Sequence, residues 1–324
     1  MIKKIAAIFL IITVGMIYSC GNKQAVKPII IDNYPFGAAD MNDQLDTNKK
    51  QTSTYIPTRA EMVMNALQEA YPDKIEKVEF RNGDWAVLLR GTWYYYTGGR
   101  LLPENEFENY ASYRTYQFYD YPEELPEWKA FSPEETERFR SWTSTRSEST
   151  IRRSNFFLDS LWQVSNDRTE TENLMEKISF FGRSTKMHNG LHGKLMEIER
   201  QITSMGRTNP QIQAWMNSVD ILEGYNWRNI AESQSRSYHS YGIAIDFLPS
   251  NLGGKQTYWL WTSQYREDWW NVKYSERYHP PLAVIRLFES YGFIWGGKWS
   301  LFDTMHFEYR PEILLINGLT PPNL

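Results

Sequence analysis

Read as apolar and polar positions, the chain begins with an unbroken apolar run, crosses a polar stretch and only then becomes periodic. Lys3 and Lys4 precede the apolar run from Ile5 to Tyr18. That run is too short to span a bilayer comfortably, and a charged segment followed by an apolar one is the order of a secretory signal. Residues 20–56 follow, and NDQLDTNKKQTSTY within them has no apolar period, so a flexible tether is expected there. Periodicity starts at Thr58-Arg59-Ala60-Glu61, a capping-box pattern that predicts a helix to about Ala70, stopped by Tyr71-Pro72. In KVEFRNGDWAVLLRGTWYYYTGGRLLP, the pairs Asn82-Gly83, Arg90-Gly91 and Gly98-Gly99 punctuate short Val-, Trp- and Tyr-rich runs, which predicts a small antiparallel meander. Ser132-Pro133-Glu134-Glu135 opens another helix, and a polar stretch, TSTRSEST, follows from Thr143. Residues 57–164 thus read as a small accessory α+β module.

The pattern changes near Ser165, and residues 165–324 are expected to form a second domain. Thr169 to Phe181 predicts a helix and a short apolar run. Met187 to Met205 predicts an amphipathic helix with Leu191, Leu195, Ile198 and Ile202 on one stripe. VDILEGYNWR reads as a strand ending in Arg228, and YGIAIDFLP as a strand leading into Asp246. Pro281 to Tyr291 reads as a helix stopped by Gly292, and HFEYRP as a last strand. Helices mixed with strands that need no crossover predict an α+β class, a small antiparallel sheet with flanking helices.

Composition narrows the partners. The net charge of −4 gives no basic field for nucleic acid. Aromatics make up 15% of the 324 residues, which fits a packed core better than a ligand-stacking groove. The only cysteine, Cys20, follows Ile17-Tyr18-Ser19 and precedes Gly21, which is similar to a bacterial lipoprotein cleavage site. Residues 1–19 are then a signal peptide and Cys20 the lipidated first residue. An exported protein held to a membrane by its N-terminal lipid, within the cell envelope, is expected. A single cysteine also excludes intrachain disulfides and a Cys-based metal site in the body of the chain.

The chemistry concentrates in two blocks. His239 and Asp246 lie in SYHSYGIAID, and His306 in WGGKWSLFDTMHFEY, three residues after Asp303. Two imidazoles and one carboxylate suit Zn²⁺ with a fourth position open, the pattern of a catalytic rather than a structural site. Asp303 beside them is a candidate general base. Gly296 and Gly297 would let backbone approach a substrate, with Trp295 and Trp299 excluding water. His188 and His192, four residues apart, are expected to cap or face solvent, and His279 to be structural. Glu308 is either an orienting group for His306 or a solvated acid. The insertion TYWLWTSQYREDWWN is expected to pack.

The blocks SYHSYGIAIDF and YGFIWGGKWSLFDTMHFEYRP resemble the two signature segments of the VanY-type zinc D,D-carboxypeptidase family. Its relatives include VanX-type dipeptidases and the L-alanyl-D-glutamate endopeptidases of phage lysins and bacilli. The pattern S-x-H-x-x-G-x-A-x-D falls on Ser237, His239, Gly242, Ala244 and Asp246, and the acid three residues before a histidine on Asp303 and His306. The resemblance covers about residues 187–313. It implies Zn²⁺ held by His239, Asp246 and His306, Asp303 as catalytic base and acid, and a peptidoglycan stem peptide as substrate. It also implies a role for Arg228 on the substrate carbonyl oxygen, for which Arg236 competes; Ser237 binds substrate or fixes its loop. Trimming a terminal D-Ala and cutting L-Ala-D-Glu are both open, and Arg236 or Lys298 could hold a terminal carboxylate. The rival class is a non-catalytic wall- or protein-binding lipoprotein on the same fold.

Overall fold

The structure, a computed structural model, describes residues 57–324 except 117, 126, 146–150 and 232. The signal run, Cys20 and the tether lie outside the described residues. Helix α1 (Arg59–Ala70) starts where the capping box puts it, with the Thr58 side chain accepting from the Glu61 N–H. The meander follows as β1 (Ile75–Arg81), β2 (Asp84–Leu89), β3 (Thr92–Tyr95) and β4 (Leu102–Pro103), hydrogen-bonded in that order. Its first two turns place Asn82 and Gly83, then Arg90 and Gly91, at positive φ, as tight hairpins with a right-handed twist require. Short β5 (Tyr113–Arg114) pairs in parallel with β6 (Arg152–Arg153). Between them in sequence lies α2 (Pro133–Thr145), whose Ser132 and Glu135 cap each other's backbone N–H.

Helices α3 (Phe156–Trp162) and α4 (Arg168–Glu172) lead to a hairpin of β7 (Met175–Phe180) and β8 (Arg183–His188). This corrects the helix expected from Met187. Phe181 and Gly182 at positive φ close the hairpin, Met187 and His188 end its second strand, and α5 (His192–Gly206) begins beyond them. Leu195, Ile198 and Ile202 of α5 are buried, as the stripe predicts. Then come α6 (Pro210–Ser218), β9 (Val219–Glu223), β10 (Ala244–Pro249), α7 (Trp259–Ser263), α8 (Leu282–Ser290), β11 (Phe293–Trp295), β12 (His306–Tyr309) and α9 (Pro311–Ile316). The strand expected to reach Arg228 ends earlier, at Glu223, and the chain runs on irregularly from Gly224.

Strands β11, β12, β10 and β9 form, in that order, a wholly antiparallel sheet. Small antiparallel sheets among helices make the fold α+β, as expected. The sheet's alternation sorts function from packing. Ile245, Phe247 and Phe307 enter the apolar core, where the Phe247 ring meets Phe180, Phe288 and Phe307. Asp246 and His306 take the opposite face.

One apolar core includes Val63 and Leu67 of α1, Trp162 of α3, Ile198 of α5, Phe247 of β10 and Phe307 of β12. Helix α1 packs on α9, and the Tyr71 hydroxyl donates to Glu312 Oε2 at 2.8 Å. Residues 57–164 and 165–324 therefore share this core. In the aromatic insertion, Trp259, Trp269 and Trp270 pack with Phe139 of α2 and with Leu301 and Phe302 in a second cluster. Trp261 and Tyr265 of the same insertion stay exposed.

Candidate metal centre

Antiparallel register brings the site together. Asp246 of β10 lies directly opposite His306 of β12, and Ala244 opposite Glu308, two residues further along. A period of two puts all four on one face, and the small Ala244 leaves room for the Glu308 carboxylate. His239 comes from a tight turn, Tyr238–Tyr241, just before β10. Ser237 opens that turn, its Oγ accepting from the His239 N–H, and Gly242 closes it at φ 64. A Cβ on Gly242 would meet Met175 Sδ at 2.5 Å and His188 N at 2.7 Å, so conformation and space both call for glycine.

Three donor atoms converge. Asp246 Oδ1 stands 2.8 Å from His306 Nδ1 and 3.3 Å from His239 Nε2, and the two imidazole nitrogens are 3.2 Å apart. A tetrahedral ion with bonds of about 2.0–2.1 Å separates its ligands by roughly 3.3 Å. The set therefore fits a small tetrahedral cation such as Zn²⁺. His239, Asp246 and His306 are buried, and they are the metal-capable group found among the described residues.

The other ring nitrogens are tied down. His239 Nδ1 donates to the Gly224 carbonyl at 2.6 Å, and His306 Nε2 to Glu308 Oε2 at 3.1 Å. Each bond fixes the tautomer that leaves the facing nitrogen a lone pair. Glu308 thus orients the imidazole of His306 and is not a solvated acid. It is backed by Arg310, whose guanidinium also reaches Glu312 and the Tyr238 hydroxyl.

The electrostatics ask for a cation. Burial favours a neutral Asp246, but the charges of and hydrogen bonds from His239 and His306 outweigh it and hold the carboxyl well below the usual range. Burial likewise opposes charge on His306, yet Asp246 and Glu308 raise its imidazole well above 6.5. Protons are drawn to where positive charge is wanted.

Asp303 sits just before β12, and its Oδ1 is buried without a hydrogen-bond partner among the described residues. Burial, then repulsion from Asp246, pushes its carboxyl up to about 8, with Arg228 among the charges opposing the rise. An orphaned buried acid near the His306 imidazole is a group left ready for a proton or a substrate. Arg228 is partly exposed, with Nη2 3.8 Å from Glu223 Oε1. Its backbone is clamped by Ser240, whose hydroxyl accepts from the Arg228 N–H at 2.8 Å and donates to its carbonyl at 2.6 Å.

The two alternative cations are already engaged. Arg236 is buried on Asp159 and Asn166, and Lys298 is buried on Glu289 and on the carbonyls of Pro122 and Glu123. Gly296 and Gly297 are required by the chain itself. Cβ atoms there would strike the Asp303 carbonyl and the Trp295 ring, so these glycines do not open the backbone to substrate. Trp295 is core, whereas the Trp299 ring stands 5.5 Å from His306. His188 caps the turn after β8, accepting from the Gly190 N–H, and His279 contacts the Pro280 carbonyl.

Residues 231–309 match the family model described as D-alanyl-D-alanine carboxypeptidase. Residues 63–118 match a family described as a domain of unknown function (DUF8518). The chain is also 34% identical over 83 residues to the peptidoglycan L-alanyl-D-glutamate endopeptidase CwlK of Bacillus subtilis (strain 168). That similarity covers 24% of this chain and 41% of the relative, so the chain spans well under half of that protein's length. No solved structure matches the chain significantly. The turn carrying His239, the strand carrying Asp246 and the strand carrying His306 all fall within the stretch that is similar to the D-alanyl-D-alanine carboxypeptidase family.

Proposed function

We propose that the protein is a zinc-dependent peptidase that hydrolyses peptidoglycan stem peptides. The observation that carries this reading is the convergence of His239 Nε2, Asp246 Oδ1 and His306 Nδ1 at 2.8–3.3 Å, with an unpartnered buried Asp303 carboxylate nearby. Zinc held by the three donors would supply Lewis acidity and make water nucleophilic near neutral pH.

The chain's own groups account for the rest. Positive charge bound beside Asp246 would offset the repulsion that raises the Asp303 carboxyl; in its ionised form Asp303 takes a proton from water as the peptide carbonyl is attacked and returns it to the leaving amine. The Arg228 guanidinium is suited to the negative charge that grows on the carbonyl oxygen. Ser237 holds the His239 turn, its hydroxyl accepting from the His239 N–H. Glu308 and the Gly224 carbonyl keep the imidazoles aimed. The family description supports attack at D-Ala-D-Ala, and the relative's name supports L-Ala-D-Glu. Lipidation at Cys20 and a tether to residue 56 would place the enzyme at a membrane of the cell envelope, within reach of the wall.

Digestion of purified muropeptides by the zinc-loaded protein, read by mass spectrometry beside Asp303→Ala, tests the reading. Loss of one alanine from pentapeptides establishes the carboxypeptidase. Release of a peptide beginning at D-Glu establishes the endopeptidase. No cleavage by protein shown to hold zinc overturns the proposal.

A further inference from the structure

A polar pocket of 400 Å³ adjoins the turn that carries His239 and is walled by both halves of the chain. Arg152 and Asn155 reach it from the N-terminal half, and Asn166, Arg228, Arg236 and Ser240 from the other. Its described lining has three arginines and no Asp or Glu, so an anion is the ligand it suits. The three charges are not equivalent. Arg236 is matched by Asp159 at 2.7 Å and lies over the Trp227 ring, so it builds the wall. Arg228 has its acidic neighbour only at 3.8 Å, and Arg152 is exposed at the rim.

The rim is held in place. The Arg153 N–H donates to Ser235 Oγ at 2.9 Å, and its Nη2 to the Arg236 carbonyl at 2.7 Å. These bonds stitch β6 to the segment just before Ser237 and fix where Arg152 emerges. The pocket is lined by Arg228, whose charge also acts on Asp303, and by Ser240 of the His239 turn, so a group held there lies next to the candidate catalytic centre.

We propose that this pocket is a carboxylate subsite for the peptide substrate, with Arg152 from the N-terminal half as the residue that reads the carboxylate. The proposal rests on the peptidase reading. A planar guanidinium pairs with a carboxylate through two parallel hydrogen bonds, which a neutral amide cannot reproduce. The carboxylate comes either from D-glutamate next to the cut bond or from the peptide's C-terminus. Residues 57–164 then contribute to specificity rather than serving only as a support.

The test is calorimetric binding to the zinc-loaded full-length chain in detergent, carrying Asp303→Asn to suppress turnover. The probes are N-acetyl-L-Ala-D-Glu against its diamide and N-acetyl-D-Ala-D-Ala against its amide. The acid should bind about tenfold or more tightly than the amide in one pair, and Arg152→Ala should abolish that difference. Discrimination in the first pair assigns the carboxylate to D-glutamate, and in the second to the C-terminus. No difference between acid and amide in either pair, or a difference that Arg152→Ala leaves intact, overturns the subsite. Cleavage by the chain with Asp303 intact is read separately. Discrimination without cleavage would end the peptidase reading and leave the subsite standing.

Discussion

The hydroxyl of Tyr71, which caps the first helix, donates to Glu312 at the start of the last, 241 residues away. Glu312 pairs with Arg310, Arg310 with Glu308, and Glu308 with the imidazole of His306. A buried chain of polar groups thus runs from the first described helix to a candidate metal ligand.

Tyr71→Phe removes the outermost donor and leaves Glu312 Oε2 buried without it. An unmade buried hydrogen bond to a charged acceptor costs about 1–3 kcal/mol. Urea unfolding should show a loss in that range with an unchanged m-value. A neutral result would mean that water replaces the phenol.

Glu308→Ala acts one bond from the centre. It frees the His306 ring and leaves Arg310 short of one anion. Loss of an orienting partner typically weakens metal affinity by about 10–100-fold. Competition with a chromophoric chelator measures this, and unaltered affinity would remove Glu308 from the site.

Asp303→Asn keeps the shape and removes the proton acceptor. Peptide hydrolysis should fall by about 10²–10⁴-fold. Zinc binding should persist, because Asp303 is not among the three converging donors. Activity within a few-fold of the parent would reassign the base.

Gly224→Ala and Gly193→Ala form a matched pair. A Cβ at Gly224 would strike the Lys186 carbonyl and stand 2.6 Å from Met187 Sδ, and the carbonyl that shifts is the one His239 holds. A loss of about 1–3 kcal/mol is expected, with weaker zinc binding. Gly193, on α5, has nothing within 4 Å, and alanine there should stabilise by about 0.5–1 kcal/mol.

His188 should mark the acid limb of stability. Burial lowers its imidazole from 6.5 to about 4, since the ring stays neutral between the Trp162 carbonyl and the Gly190 N–H. As pH falls below 6.5 the unfolded chain takes up a proton that the folded chain refuses. Stability is therefore full above 6.5 and declines by on the order of 3 kcal/mol down to about pH 4, then levels off for this group. His188→Asn should flatten that part of the profile in unfolding experiments run at stepped pH. An unchanged slope would locate the acid sensitivity elsewhere.

Local features of this chain were legible in its sequence. Thr58 and Ser132 announce two helices because capping chemistry acts over three residues. His239, Asp246, Asp303 and His306 stood out because two short blocks hold them at fixed spacing. Glu308 remained undecided, though H-x-E on a strand puts both side chains on one face and was the available signal. The β7–β8 hairpin was missed because Phe181-Gly182 is a turn whose first residue is aromatic, outside the usual Asn-Gly or Asp-Gly cue. The fates of Arg236 and Lys298 depended on Asp159, Asn166 and Glu289, partners that only the fold brings near. The shared core was equally hidden, because a boundary drawn at 164 follows composition and the packing of α1 on α9 does not.

That packing has a consequence for how the protein comes into being. Among the described elements α1 comes first in the sequence and α9 last, with the His306 strand just before α9. Val63, Met64 and Leu67 find their place in the core only once α9 has docked, and His239 and Asp246 meet a second imidazole only once β12 pairs with β10. Assembly of the candidate centre therefore waits on β12: without it, only His239 and Asp246 of the three converging donors are in place.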